Sequence, residues 1–253
     1  VRTLLALWRL LGASLHVAHG LWIVLVHFPA WDHARRMQRV QWWSARLLKR
    51  LGVRLQATGT PRRGGKLLVA NHVSWLDILA LDALAPARFV SKSEVRGWPL
   101  IGRLVGGAGT LYIERERTRD ALRVVHRMAE ALNAGDTVAI FPEGTTSHGH
   151  AVLPFHANLL QAAIATAAPV QAVALRYSDA SCPVSPAAAY VGETHLLSSV
   201  WSVVCARDLV AHVHFIAAHA AAHADRRALA QSLRESIARE LVGSGACEAV
   251  SSC

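Results

Sequence analysis

Residues 3–28 are apolar almost throughout, interrupted only by Arg9, His16, His19 and His27, and they predict a long helix that skims or dips into a bilayer. Pro29 breaks it. Asp32 is placed to cap a second helix over 33–51, in which Arg35, Arg36, Arg39, Arg46, Lys49 and Arg50 accompany Trp42, Trp43, Leu47 and Leu51. That is the pattern of a basic amphipathic helix with interfacial aromatics, and an ordinary surface helix packed on a core shares it. From residue 53 the periodicity changes. Strands are predicted at 53–58, 66–70, 87–91, 109–114, 137–141, 169–176, 187–191 and 208–216, and helices at 74–84, 97–106, 118–134, 157–167, 194–204 and 225–242. This alternation predicts an α/β fold with a mostly parallel or mixed central sheet flanked by helices. The chain then divides into an N-terminal helical segment (1–51), one domain (52–243) and a frayed tail after Gly243 (244–253).

Composition adds a reason to separate the first segment from the rest. Hydrophobic residues make up 53% of the 253 and the mean hydropathy is +0.27, oily for a soluble enzyme, yet no stretch of 18 residues is cleanly apolar. Residues 1–66 carry 12 of the 27 Lys/Arg and one of the 17 acids, for +11, whereas residues 67–253 sum to −1. A basic segment of this kind suits nucleic acid, an acidic protein or the anionic face of a membrane. Two adjoining helices that hold nearly all the excess charge favour the membrane. Four cysteines, Cys182, Cys205, Cys247 and Cys253, include no Cys-x-x-Cys pair; this argues against a disulfide scaffold or structural zinc and fits a reducing compartment. No small-x-small cleavage site with a polar region follows the apolar start, so it reads as retained rather than as a signal peptide.

Four runs carry chemistry, each at the end of a predicted strand or directly after one. Strand 66–70 leads into Asn71 and His72, placing an imidazole where open α/β sheets hold their sites. Asp77, five residues on, is close enough to orient that ring and to stabilise the cation formed when it takes a proton. Ser74-Trp75-Leu76-Asp77 also resembles a capping box, so spacing leaves both roles open. After strand 137–141 comes Phe141-Pro142-Glu143-Gly144-Thr145-Thr146-Ser147-His148-Gly149, a polar loop able to offer N–H groups and hydroxyls to an anion, or simply a solvated turn. Gly109-Thr110-Leu111-Tyr112-Ile113-Glu114-Arg115 ends in a cation suited to phosphate or to an ion pair with neighbouring acids, and Lys92 closes strand 87–91 in the same way.

In this order the runs closely resemble the glycerolipid acyltransferases typified by 1-acylglycerol-3-phosphate acyltransferase. The likeness covers about residues 50–180 and includes Asn-His-x-x-x-x-Asp at 71–77, Lys92, Gly-x-x-x-Ile-Glu-Arg at 109–115, Phe-Pro-Glu-Gly-Thr at 141–145 and Ala168-Pro169-Val170. The resemblance implies that His72 and Asp77 are the catalytic dyad and that Arg115, Glu143 and Gly144 help hold a phosphorylated acceptor, with Lys92 and Thr145 in the same substrate-binding set. It implies a glycerol-phosphate acyltransferase-like fold with a membrane-binding helical pair. The implied reaction moves an acyl group from acyl-ACP or acyl-CoA to the sn-2 hydroxyl of 1-acyl-glycerol-3-phosphate, giving phosphatidic acid in phospholipid biosynthesis. No metal and no bound cofactor are implied, since the thioester is already activated. The expected place is the cytoplasmic face of the inner membrane, monotopic or single-span. Two departures bear on the acceptor. Thr146 stands where the family commonly has arginine, and Pro154-Phe155-His156-Ala157-Asn158 replaces Pro-Phe-Lys-x-Gly. The Phe-Pro-Glu-Gly-Thr-Thr-Ser form also resembles the branch that acylates lyso-ornithine lipid, a phosphate-free acceptor.

Three other classes fit less of the chain. His212 and His214 share a strand face, and His219 and His223 have helical spacing, but no acidic or cysteine ligand is interleaved to hold a metal. A basic nucleic-acid module calls for base-stacking aromatics along a sheet, whereas here the tryptophans cluster on the N-terminal helices. A serine hydrolase calls for a Gly-x-Ser-x-Gly elbow, which the sequence lacks.

Overall fold

Two antiparallel helices, α1 (Arg2–Val26) and α2 (His33–Leu51), begin the chain. The computed structural model describes residues 2–113 and 118–243; Arg115 and the tail expected at 244–253 lie outside them. Asp32 caps α2 as its position predicts, its carboxylate accepting from the Arg35 amide at 2.7 Å. Gly52 closes α2 with φ +83°, and the Arg9 guanidinium lies against it. The pair is tied in both directions: the Trp43 indole donates to the His16 carbonyl at 3.1 Å, and the His16 ring lies 3.0 Å from the Trp43 carbonyl. A stripe of α1 at Ala6, Ala13, His16, Gly20 and Ile23 is buried, at intervals of seven, three, four and three residues, so one face docks along most of the helix. The opposite face is exposed leucine and tryptophan. Among the described residues α1 alone is long and apolar enough to cross a membrane, with a mean hydropathy of 1.5 over its most apolar window. The interruptions that weaken this reading in sequence are too few to lower that average.

Then follow β1 (Arg54–Gly59), β2 (Lys66–Ala70), α3 (Leu76–Leu84), β3 (Arg88–Lys92), α4 (Ile101–Gly107), β4 (Leu111–Ile113), α5 (Thr118–Asn133), β5 (Thr137–Ile140), α6 (Gln161–Thr166), β6 (Val170–Ser178), α7 (Leu196–Cys205), β7 (Val210–His219) and α8 (Arg226–Gly243). The seven strands form one mixed sheet in the order β1-β7-β6-β2-β5-β3-β4. Strands β6, β2, β5, β3 and β4 run parallel; β7 is antiparallel to β6, and β1 is parallel to β7. This is the fold class predicted from the alternation of elements. Alternate residues of each central strand enter different cores. Leu68 and Ala70 of β2 pack with α2, α3 and α7 on one face, while Leu67 and Val69 pack with α5, α6 and α8 on the other. Leu47, Leu48 and Leu51 of α2 belong to the first of these cores, so the second helix is a wall of the α/β domain.

Two expectations change. No strand forms at 187–191, because the backbone there serves the neighbouring loops: the Tyr190 amide donates to the Val73 carbonyl at 3.1 Å, and the Thr146 hydroxyl donates to the Tyr190 carbonyl. Cys182 is disulfide-bonded, where the cysteine pattern fits a reducing compartment; spacing along the chain does not report proximity in space.

The α1–α2 contact depends on the missing side chain of Gly20, where an added Cβ would collide with the Trp43 indole. Gly20→Val is expected to lower unfolding stability by about 1–3 kcal/mol through overpacking. Thermal or urea unfolding checks this, and an unchanged midpoint would show that the helices are not held in this register.

Candidate active site

Because β2, β5 and β3 are parallel, the runs that follow β2 and β5 and the Lys92 that ends β3 all lie at the carboxyl edge of the sheet. The end of β2 is pinned by Asn71, whose side-chain amide donates to the Leu175 carbonyl at 2.9 Å and accepts from the Leu175 amide at 2.8 Å. His72 follows, and its Nδ1 lies 2.8 Å from Asp77 Oδ2. The same oxygen accepts from the amides of Val73 at 2.7 Å and Ser74 at 2.9 Å, while Oδ1 accepts from the Tyr177 hydroxyl at 2.7 Å. Asp77 thus fills both roles that its spacing left open: it starts α3 by accepting backbone donors, and it holds the imidazole. The reciprocal half of a capping box is not made, since Ser74 Oγ is buried without a hydrogen-bond partner.

Asp77 is fully buried, whereas the His72 side chain keeps 20% of its surface exposed. With Nδ1 turned to the carboxylate, Nε2 is the nitrogen left for a substrate. The ring is stacked on Phe141, with centroids 4.0 Å apart and planes 10° apart, and Phe141 is in turn stacked on Phe89. Burial, and then the Asp77 charge, push the Tyr177 phenol well above its usual range, so it stays protonated and serves as a donor.

Glu143 also joins this centre. Its Oε1 accepts from the His72 amide at 2.7 Å and its Oε2 from the Leu153 amide at 3.0 Å, so both oxygens brace backbone. Burial raises its pKa from 4.5 to about 6, against the lowering effect of those two hydrogen bonds. Gly144 turns the loop with φ +72°, its amide donating to the Phe141 carbonyl at 3.1 Å. The Ser147 amide reaches back to the His72 carbonyl at 2.8 Å. Thr145 is exposed on this loop, and Lys92 is exposed at the end of β3, two strands from His72 in the sheet. Arg115 lies outside the described residues. Sequence reasoning missed Tyr177, one hundred residues from Asp77; the available signal was a tyrosine on the inward face of β6, in step with Val173 and Leu175, whose hydroxyl needs a partner.

The histidines of β7 are engaged elsewhere. His212 Nε2 lies 2.8 Å from the Ser178 hydroxyl, and His214 Nδ1 lies 2.7 Å from that of Thr58. His219 ends β7 and His223 precedes α8, so their spacing is not helical. Among the described residues no three His, Cys, Asp or Glu side chains gather as a metal site.

A histidine oriented by a buried carboxylate at the carboxyl edge of an α/β sheet defines a class of general-base enzymes rather than a single reaction. Comparison narrows it. The family model described as Acyltransferase matches residues 53–176. Lyso-ornithine lipid O-acyltransferase of Pseudomonas aeruginosa is 36% identical over 249 residues, covering 97% of this chain and 96% of that protein. The 1-acyl-sn-glycerol-3-phosphate acyltransferase of Neisseria meningitidis is 38% identical over 188 residues, 74% of this chain and 73% of that one. In fold, the crystal structure of the 1-acyl-sn-glycerophosphate acyltransferase PlsC from Thermotoga maritima superposes with a TM-score of 0.73 at 20% identity, covering 96% of this chain and 97% of that one. The chain belongs to the acyltransferase family, within a group whose members are named for both kinds of lysolipid.

Two substitutions test the centre. Tyr177→Phe removes one donor from Asp77 and is expected to lower kcat about tenfold with KM nearly unchanged, since the ring loses its setting and the substrate loses no contact. A rise in KM at constant kcat would contradict that assignment. For Glu143, a folded pKa of about 6 against an ordinary 4.5 means that the folded chain holds the proton more tightly in that window. Its contribution to stability therefore falls as pH rises through the window, by about 2 kcal/mol. The stability of the wild type relative to Glu143→Gln should fall by that amount between pH 4 and pH 7 in urea titrations; a constant difference would count against a buried, titrating carboxylate.

Proposed function

We propose that this protein transfers a fatty acyl group from acyl-ACP or acyl-CoA to the sn-2 hydroxyl of 1-acyl-glycerol-3-phosphate, giving phosphatidic acid. The carrying observation is His72 held through Nδ1 by a fully buried Asp77, with Nε2 left over at a partly open edge. In this reading Nε2 takes the proton of the acceptor hydroxyl as its oxygen attacks the thioester carbonyl. The tetrahedral intermediate then collapses, the C–S bond breaks, and the departing thiolate receives the proton from the imidazolium. Asp77 stabilises the transient cation, and Tyr177 and Glu143 keep carboxylate and ring in place. Lys92, Arg115, Glu143, Gly144 and Thr145 are the acceptor-binding candidates, supported by their place in the family's blocks. The reaction needs neither a metal nor an organic cofactor. The enzyme works on the membrane surface, on the cytoplasmic side where acyl thioesters are made, and has no nucleic-acid partner.

A second reading, O-acylation of lyso-ornithine lipid, is favoured by one observation. Thr146, in a position where arginine would supply charge to a phosphate, spends its hydroxyl on the Tyr190 carbonyl. The match over nearly the whole length of the Pseudomonas aeruginosa relative points the same way.

Offering lysophosphatidate and lyso-ornithine lipid side by side, each with acyl-ACP and acyl-CoA, separates the readings; preference for the phosphate-free acceptor overturns the first. His72→Ala should lower turnover with either acceptor by about 10²–10⁴-fold. Substantial activity in a folded His72→Ala protein would refute the base assignment.

A further inference from the structure

The face of the sheet turned away from α1 and α2 carries a polar patch that the dyad does not use. Side chains alternate along each strand. Arg176 of β6, His212 and His214 of β7, and Gln56 and Thr58 of β1 therefore share the face covered by α8, whereas Tyr177 points through the other face to Asp77. The strand register sets them in two rows. Arg176, His212 and Gln56 stand side by side in the first; His214 and Thr58 stand in the second, two residues along and about 7 Å away. Together with Glu240 of α8 they line a cavity of about 280 Å³.

The second row is satisfied within the protein: His214 Nδ1 lies 2.7 Å from the Thr58 hydroxyl and 3.6 Å from Glu240 Oε1. The first row is not. Arg176 donates through Nη1 to the Pro183 carbonyl at 2.8 Å, but its Nε is buried with no acceptor. Among the described residues no carboxylate pairs with this guanidinium. Burial alone pulls its pKa below the ordinary arginine value, the mark of a charge drawn out of water without a partner. His212 places Nε2 2.8 Å from the Ser178 hydroxyl, which leaves Nδ1 for a further contact, and the Gln56 side chain is exposed beside it. A cation held in this way destabilises the fold unless an anion meets it.

We infer that this cavity binds a small soluble phosphate monoester, its phosphoryl oxygens taken by the Arg176 guanidinium, His212 Nδ1 and the Gln56 amide. A planar guanidinium matches two phosphoryl oxygens at once, and the neighbouring imidazole and amide supply the remaining donors. The volume lies just below the about 300 Å³ at which ordinary small-molecule sites begin, so it suits a phosphoryl group with a few carbons rather than a nucleotide. Glu240, in the second row, disfavours another anionic group there and suits a hydroxyl or an amine. The groups facing His212 are Arg176 on β6, His214 on its own strand, Arg54 and Gln56 on β1, and Glu240 on α8. Burial first, and then the Arg176 charge, bring the His212 pKa down to about 4, so the ring is neutral near pH 7. An anion beside both offsets the Arg176 charge and favours the imidazolium, so binding takes up a proton.

Calorimetric titration of the full chain with inorganic phosphate decides the matter, run near pH 6.5 at constant ionic strength in two buffers of different ionisation heat. The wild type should bind phosphate with a heat that differs between the buffers, the sign of proton uptake. Arg176→Gln should weaken binding about tenfold or more, since a charged hydrogen-bonding partner is lost. His212→Asn leaves the Arg176–Pro183 contact in place, so it tests the cavity even if Arg176→Gln folds poorly; it should weaken binding and remove the buffer dependence. A wild type that binds no phosphate overturns the site. Equal affinity in the wild type and both variants overturns it too, and would place the anion at the acceptor-binding loop on the other side of the sheet. Buffer dependence that survives in His212→Asn would refute the part given to His212. The titration involves no turnover, so a protein that acylates neither lipid yet binds phosphate in this pattern would sink the acyl-transfer reading and leave the site standing.

Discussion

A carboxylate with no exposed surface is tolerated only when its oxygens are fully engaged, and the centre of this protein is organised around meeting that condition for Asp77. Its four donors come from two parts of the fold: the His72 ring with the Val73 and Ser74 amides at the mouth of α3, and the Tyr177 hydroxyl on β6. A hydrogen bond to a charged group contributes about 1.5–3 kcal/mol, and a donor lost from a buried charge costs more than its own share. The His72 ring cannot drift without weakening a helix start and a strand contact together. Glu143 repeats the device one loop away, fixing the backbone beneath the ring while Asp77 fixes the ring itself.

What the sequence made legible follows from how local each interaction is. The His72–Asp77 pair lies within one strand-to-helix turn, so five-residue spacing was enough to suggest it, and the helix-capping alternative was visible for the same reason; both hold, because one carboxylate serves both. The strand-end placement of Lys92 and Glu143 was legible because the β-rich runs and helices alternate. Tyr177 was not, since nothing local distinguishes a core tyrosine from one that completes a catalytic network. The strand expected at 187–191 fails for a related reason: its residues suit a strand, but their backbone groups are taken by Val73 and Thr146, far away in sequence. For Glu143, the family likeness points to acceptor binding, while the geometry adds a backbone-bracing job that no motif records.

The acceptor is where chemistry and sequence part company. In the proposed mechanism the dyad acts on a hydroxyl, which both candidate acceptors carry, so the choice between them would rest on groups further out, with Thr146 and His156 as candidates. Those positions differ from the common family pattern, and the relatives themselves are named for both lysolipids.

One consequence of the α1–α2 hairpin reaches beyond attachment. Because Leu47, Leu48 and Leu51 of α2 are core residues and α1 is docked on α2, the N-terminal helices are continuous with the packed α/β core. Any surface that binds α1 only in its docked form is coupled by mass action to the folding equilibrium of the whole molecule. A lipid surface that bound it in this way would act as a stabilising ligand, and release from that surface would cost the whole chain part of its margin against unfolding.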